Sequence, residues 1–162
     1  MTITEVINEL YLFSTDVLTL EEPVNLDEVV RFENTYSLHL PQDYIELLKV
    51  TNGFDLMGTT VHGVGNSLGY SLERLYTREH NEVANPLFNY LVPFSPDGGG
   101  NHYCFDTRTL NNDSCNIIFW QHDYLYSEDD QPEVTNTSFA EWVKQVVIDW
   151  TLEDYDYNGD ER

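Results

Sequence analysis

The stretch that most constrains the fold spans residues 93–106 and reads PFSPDGGGNHYCFD. Its three consecutive glycines, Gly98, Gly99 and Gly100, give the backbone access to positive φ and allow close approach by a neighbouring group. The carboxylate of Asp97 can cap the turn that these glycines form. The sequence therefore predicts a tight loop at this point.

The segment after the glycines has the two-residue alternation of a β-strand. Tyr103 and Phe105 fall on one face, and the other face carries His102, Cys104 and Asp106. A second apolar run, residues 116–121, follows across a turn rich in Asn and Asp, and it is apolar on both faces. The two runs predict a hairpin in the interior of a sheet.

Composition limits the classes of fold and partner. The 162 residues suit a single domain, and an aromatic content of 14% supplies large side chains for its core. With 29 acidic and 7 basic residues the formal net charge is −22. This charge argues against a nucleic-acid ligand, whose phosphates it would repel, and favours a basic protein partner. Acidity can also serve solubility alone, and composition leaves that alternative open.

Targeting and redox signals point to a reduced compartment. Glu5 and Glu9 interrupt the apolar pattern of residues 1–13, and no run approaches the roughly 20 apolar residues of a membrane span. A hairpin centred between residues 111 and 112 would not place Cys104 opposite Cys115, so we expect two free thiols and no zinc site. We expect a cytoplasmic protein with no membrane contact, metal or cofactor.

The segment around residues 40–53 has clear helix punctuation. Pro41 suits the first helical position, and Asp43 in the first turn favours the helix dipole. After the apolar side of the helix, Asn52 and Gly53 stop it, and Gly53 suits a left-handed C-cap.

Other segments give weaker signals. Apolar spacing predicts amphipathic helices within residues 2–13 and 25–36, a strand within 59–64 and a helical turn at 71–76. Residues 78–85 have the composition of a polar connection.

The C-terminal part of the chain contains the last predicted helix. Ser138 and Glu141 form a capping box, and we expect the stripe that follows to pack against the sheet: Phe139, Trp142, Val143, Val146, Val147 and Trp150. Residues 153–162 have the first half of a calcium loop but no twelfth-position Glu, so a flexible acidic tail is favoured.

Between the hairpin and this helix lies an acidic segment, residues 122–136, that we expect to form a solvated loop. Its carboxylates are the candidate partner-binding residues: Asp123, Glu128, Asp129, Asp130 and Glu133. A solvated loop without a partner is an equally good interpretation of the same residues.

Several motifs occur in one order that resembles the SUKH superfamily, which is named partly for yeast cell-wall regulators and populated mainly by bacterial immunity proteins. They are a helix around Phe32 and Glu33, the Leu40–Pro41, Asp43–Tyr44 and Asn52–Gly53 pairs, DGGGNHYCFD at 97–106, IIFWQH at 117–122, and a terminal helix with Phe139, Glu141 and Trp142.

The resemblance implies an α+β fold with a mixed or antiparallel sheet packed by helices over residues 1–152, and no catalytic activity. It implies that the motif residues mainly maintain the fold: Leu40, Pro41, Asp43, Tyr44, Asn52, Gly53, Asp97, Gly98, Gly99, Gly100, Asn101, Tyr103 and Asp106. Because toxin-binding surfaces differ among such proteins, no binding residue is carried over.

For function, the resemblance implies binding and blocking of a protein toxin, often a nuclease. A nuclease needs a basic groove for phosphate, and an acidic protein can be drawn to that groove and cover it. Two alternatives stand beside this one. The chain can be a regulatory scaffold for a host protein, or a metal-dependent hydrolase that uses His102, Asp106, His122 and Asp123.

Overall fold

A computed structural model describes residues 1–65 and 70–162 of the chain. The strands of these residues form two antiparallel sheets. The first sheet has the order β1–β2–β3, and the second has the order β4–β5–β6–β7. Their bounds are β1 Leu18–Leu20, β2 Gly53–Leu56, β3 Thr59–His62, β4 Leu91–Pro96, β5 His102–Asp106, β6 Ile117–Trp120 and β7 Glu133–Asn136. The predicted α+β class is therefore confirmed, with antiparallel pairing in both sheets.

Helices precede, separate and follow the strands. The bounds are α1 Ile3–Leu10, α2 Leu26–Tyr36, α3 Gln42–Leu48, α4 Leu72–Asn81, α5 Phe139–Trp142 and α6 Trp150–Asp154, with a π-helical segment, Val143–Asp149, joining α5 to α6. The first two helices are capped by the residues that precede them in sequence. Thr2 and Glu5 form a reciprocal capping box at α1, and the Asn25 side chain accepts from the Asp27 N–H at α2.

The glycine loop and the hairpin lie where the sequence predicts them. The Asp97 carboxylate accepts hydrogen bonds from the backbone N–H groups of Gly99 and Asn101, at 2.7 and 3.0 Å, which confirms the predicted cap. Strands β5 and β6 are both interior strands of the second sheet. Cys104 pairs with Ile118, one residue from the register of a hairpin centred between 111 and 112, and both cysteines are free and buried.

The second sheet is covered on both faces. The main core contains Phe105 and the residues of α1, α2, α3 and the C-terminal helix, together with the inner face of the first sheet. On the opposite face Cys104, Ile118 and Trp120 pack with Leu87 and Leu91 in a smaller cluster. This division follows from the strand alternation, which places Tyr103 and Phe105 on one side and Cys104 on the other.

One buried carboxylate joins elements that are far apart in sequence. Asp43, in the first turn of α3, accepts from the Ser114 hydroxyl at 2.7 Å and from the Ala140 backbone N–H at 3.0 Å. Ser114 in turn accepts from the Phe139 N–H at 3.1 Å, and the Tyr44 N–H donates to Asp43 at 3.0 Å. Burial raises the pKa of Asp43, while these donors act in the opposite direction. The carboxylate thus ties α3 to the β5–β6 turn and to the start of α5.

The end of α3 corrects one sequence prediction. Gly53 does not cap α3, which ends at Leu48 with Lys49 as its C-cap. Gly53 is instead the first residue of β2, with φ of +89°, and a Cβ there would lie 2.4 Å from the Val61 carbonyl oxygen. The predicted positive φ is present. The reason for a glycine at this position is the close approach of β3, and not the end of a helix. Pro41 is the N-cap residue of α3, one position before the predicted start of the helix.

Two other boundaries and the exposure of one side chain differ from the sequence predictions. Residues 78–81 belong to α4, because Leu72, Leu75 and Glu79 give this polar helix a buried face. Residues 133–136 form the edge strand β7, where a loop was predicted. Trp150 is 55% exposed, although the apolar spacing predicted that it packs against the sheet. In the π-helical segment the buried positions recur after five residues, from Trp142 and Val143 to Val147 and Ile148, so Trp150 falls outside the buried face.

The C-terminal residues make defined contacts. Helix α6 crosses the predicted domain end at residue 152, and the Ser14 N–H donates to the Tyr157 carbonyl at 2.8 Å. The Tyr157 ring packs edge-on against Phe13, with 4.9 Å between centroids. The Asp156 carboxylate accepts from the backbone of Asn158 and Asp160. The flexibility of residues 153–162 stays a prediction.

The Asp43 contacts predict a large loss of stability for Asp43→Ala. The substitution leaves the Ser114 hydroxyl and the Ala140 N–H buried without their acceptor, which costs about 3 kcal/mol of unfolding free energy. Urea unfolding followed by circular dichroism measures this loss. Asp16→Ala, at an exposed aspartate, is the matched control and should change stability by at most about 0.5 kcal/mol. Equal effects of the two substitutions would contradict the role of Asp43.

Candidate functional site

The candidate carboxylates lie at one end of the second sheet. Asp123, Glu128 and Asp129 are exposed in the loop of residues 121–132, which connects β6 to β7, and Asp130 is half-buried in the same loop. Glu133 is exposed at the first residue of β7, opposite Phe119 of β6. We call the surface of residues 121–134 the acidic surface. The five predicted residues therefore lie in one loop and at the first residue of the strand that follows it.

Exposed apolar side chains lie among these carboxylates. Leu125 is 82% exposed, and Tyr124 and Val134 are each 50% exposed. Sequence reasoning missed these three residues, although their position within an acidic run was visible. Apolar groups surrounded by charged groups are the usual arrangement of a protein-binding surface, in which the rim is polar and the centre is desolvated on binding.

The acidic surface has no cation from its own part of the sequence. No Lys or Arg occurs between Arg108 and Lys144, and these two bind other carboxylates, Asp106 for Arg108 and both Glu9 and Asp149 for Lys144. Among residues 1–65 and 70–162, no ion pair involves any of the five candidate carboxylates. Their negative charge is therefore available to a partner.

Aromatic packing supports the acidic surface from below. Tyr126 stacks on the buried Trp120 with 4.0 Å between ring centroids, and its hydroxyl accepts from the Gln121 N–H at 3.0 Å. The Asn85 side chain donates to the Tyr124 carbonyl at 2.5 Å. These contacts fix the path of the loop backbone although most of its side chains are exposed.

The glycine loop contacts the start of the acidic surface. The Asn101 side-chain oxygen accepts from the His122 N–H at 3.0 Å and lies 2.8 Å from Nδ1 of the same residue. Gly100 has φ of +98°, and a Cβ there would lie 2.9 Å from that ring nitrogen. The glycine therefore provides the space in which His122 meets the loop.

The residues of the hydrolase alternative have separate partners. His102 is buried, and its Nε2 lies 3.1 Å from the Glu79 carboxylate. Asp106 is held by Arg108 through two hydrogen bonds of 3.1 and 3.0 Å. His122 contacts Asn101 as described, and Asp123 is exposed. The structure does not gather these four residues into one site.

Across residues 1–65 and 70–162, no three His, Cys, Asp or Glu side chains lie close enough together to hold a metal ion. Within the same ranges, no helix combines the length and apolar character needed to cross a bilayer.

A concave region lies on the first sheet, away from the acidic surface, and the sequence analysis did not predict it. It has a volume of about 330 Å³ and is lined in part by Glu21, Asn52, Asp55 and Tyr70. Its polar groups are mostly occupied: the Asn52 amide bonds both backbone groups of Val64, and the Asp55 carboxylate accepts from Thr60 and Gly58. The Asn52 and Asp55 side chains therefore already have partners within the chain.

Comparisons with known proteins bear on the family and the fold of the chain. The model of the SMI1 / KNR4 family (SUKH-1) matches residues 23–145. A crystal structure of a protein from Pseudomonas syringae pv. tomato has a similar fold, with a TM-score of 0.59 and 20% identity over 88% of this chain and 96% of that one. No curated protein matches the chain.

The buried Glu79–His102 contact predicts a pH effect on stability. Burial raises the pKa of Glu79, but the hydrogen bond and charge of His102, together with Arg78, outweigh it and lower the pKa. A lowered carboxyl pKa contributes stability above the unfolded pKa of about 4.3, and this contribution is lost as the pH falls through the folded pKa. Glu79→Gln should therefore cost about 1 kcal/mol at pH 6 and markedly less at pH 3.

Urea unfolding at the two pH values tests this difference. Glu82→Gln, at an exposed glutamate just beyond the end of the same helix, is the control and should show little cost at either pH. A cost for Glu79→Gln that is constant between pH 6 and pH 3 would show that the carboxylate charge is not what stabilises the contact.

Proposed function

The chain belongs to the SMI1 / KNR4 family (SUKH-1), and from this we propose that it is an immunity protein that binds and neutralises a cognate protein toxin. The single observation that supports the proposal most directly is the acidic surface, whose carboxylates are free of ion pairs within the described residues and surround exposed apolar groups. Such a surface is suited to a basic protein, and it acts by binding rather than by chemistry.

The target that fits this surface best is the positively charged groove of a toxin nuclease of a polymorphic toxin system. A nuclease collects Lys and Arg around its active site to bind phosphates, and those cations carry a long-range field. The net charge of −22 speeds the encounter, and the carboxylates then occupy the places of the phosphates. Tyr124, Leu125 and Val134 contribute desolvated contacts that charge alone does not supply.

The mechanism divides the work between two kinds of contact. Long-range charge mainly raises the association rate and depends on salt, whereas the apolar and directly paired groups mainly set the dissociation rate. Occlusion of the groove is enough to block the nuclease because substrate and immunity protein compete for the same cations.

Co-expression with a toxin encoded beside its gene tests this function. We expect the chain to restore growth, and a variant that neutralises the acidic surface to lose protection: Asp123→Asn, Glu128→Gln, Asp129→Asn, Asp130→Asn and Glu133→Gln. Binding of the purified toxin by the wild-type chain should weaken at least tenfold between about 50 and 300 mM salt, because the attraction is screened.

The control variant removes the same five charges from exposed positions outside the acidic surface: Asp16→Asn, Asp27→Asn, Glu153→Gln, Asp154→Asn and Glu161→Gln. We expect it to retain most of the protection. If both variants lose protection equally, net charge and not the acidic surface determines binding. If no neighbouring toxin is neutralised by the wild-type chain, the immunity function itself is wrong.

A further inference from the structure

Within the acidic surface, a small cavity lies between the loop and the start of β7. Its volume is about 170 Å³, and it is lined by Gln121, Tyr124, Tyr126, Asp130, Gln131, Pro132 and Glu133. Two tyrosines and two acidic residues therefore line the same space. The rings of Tyr124 and Tyr126 lie 4.7 Å apart at an interplanar angle of 59°, so they form two walls of different orientation.

The cavity is held in shape by contacts that do not depend on a partner. The Asp130 carboxylate accepts from the Ser127 N–H at 2.6 Å, and the Asp130 N–H donates back to the Ser127 carbonyl at 3.0 Å. Tyr126 is fixed by Trp120 and by the Gln121 N–H, as described above. The aromatic wall and one carboxylate are thus positioned in advance, which lowers the entropy lost on binding.

The chain itself contains the same combination of groups with its ligand in place. The Arg108 guanidinium lies over the Tyr90 ring, 3.7 Å from its centroid, and donates two hydrogen bonds to the Asp106 carboxylate. A carboxylate and a tyrosine face together bind a planar cation in this internal example. The cavity has the carboxylates and the rings but no Lys or Arg within its own segment of the chain.

A guanidinium matches these groups better than an ammonium does. It is planar, stacks on an aromatic face, and presents paired N–H donors to a carboxylate, whereas an ammonium is a compact and strongly hydrated charge. Glu133 is exposed and lines the cavity. Its carboxylate can accept both donors of one edge of the guanidinium while the ring plane covers a face.

We propose that this cavity is a specificity pocket for a single arginine side chain presented by the protein partner. The inference rests on the proposed function for the surface that it uses, and it names the residue that the partner inserts. Leu125, which follows Tyr124 in the chain and is 82% exposed, is available for apolar contact with the partner. The other carboxylates of the acidic surface attract cations in general, and the cavity selects arginine among them.

A peptide titration tests the pocket without the toxin. The probe is acetyl-Gly-Arg-Gly-amide, added to the uniformly ¹⁵N-labelled full chain and followed by amide chemical shifts. The comparison probes carry lysine or citrulline in place of arginine; citrulline keeps the planar shape and loses the charge. We expect shifts confined to residues 121–134, and binding of the arginine peptide about tenfold tighter than of either comparison peptide.

Two matched variants separate the pocket from general charge. Glu133→Gln removes one charge from the cavity wall and should weaken binding of the arginine peptide about tenfold. Glu128→Gln removes one charge from the acidic surface outside the cavity and should weaken binding of the same peptide by at most about twofold. Tyr124→Leu keeps an apolar wall but removes a ring, and it should reduce the preference for arginine over lysine.

Each alternative outcome overturns the pocket. It is wrong if arginine and lysine peptides bind alike, if Glu128→Gln weakens binding as much as Glu133→Gln, or if the shifts centre on the region of Glu21 and Asn52. Failure of the pocket can also be told apart from failure of the proposed immunity function. Protection against a toxin without selective peptide binding removes the pocket alone, and selective binding without protection against any toxin removes the immunity function alone.

Discussion

The fold depends on one buried carboxylate that three distant parts of the chain share. Asp43 lies in α3, and the groups that donate to it come from its own helix, from the β5–β6 turn and from the start of α5. A carboxylate buried without these donors would cost several kcal/mol, so the position is stable only when the three segments are assembled. The same contact orients the C-terminal helix, whose Phe139 and Trp142 then fill the core between the sheets.

With the core fixed in this way, the acidic surface is free to serve binding. Strand β6 is buried on both faces, so the connection that follows it begins from a rigid point, and Trp120 and Tyr126 extend that rigidity into the loop. Five of the seven Lys and Arg residues form ion pairs away from the acidic surface: Arg31, Lys49, Arg78, Arg108 and Lys144. The acidic residues at one end of the second sheet are therefore left without cationic partners among the described residues.

Local signals in the sequence were sufficient for most elements, whereas long-range contacts decided the rest. The Asp97 cap and the β5–β6 hairpin depend on residues close in sequence, and both were predicted. The role of Gly53 could not, because it comes from the approach of Val61 in β3. The exposure of Trp150 follows from a π-helical segment that has no signature in apolar spacing. The local run of acidic residues predicted the candidate carboxylates, which stay a prediction, whereas the cavity with Tyr124 and Tyr126 depends on the path of the loop.

The central claim is that the partner covers the end of the second sheet and not the concave region of the first. Hydrogen–deuterium exchange of the full chain, with and without its toxin, measures this most directly. The account predicts that slower exchange on binding is concentrated in residues 121–136 and that residues 18–24 and 52–65 are unchanged. Slower exchange centred on the first sheet, with residues 121–136 unaffected, would contradict it.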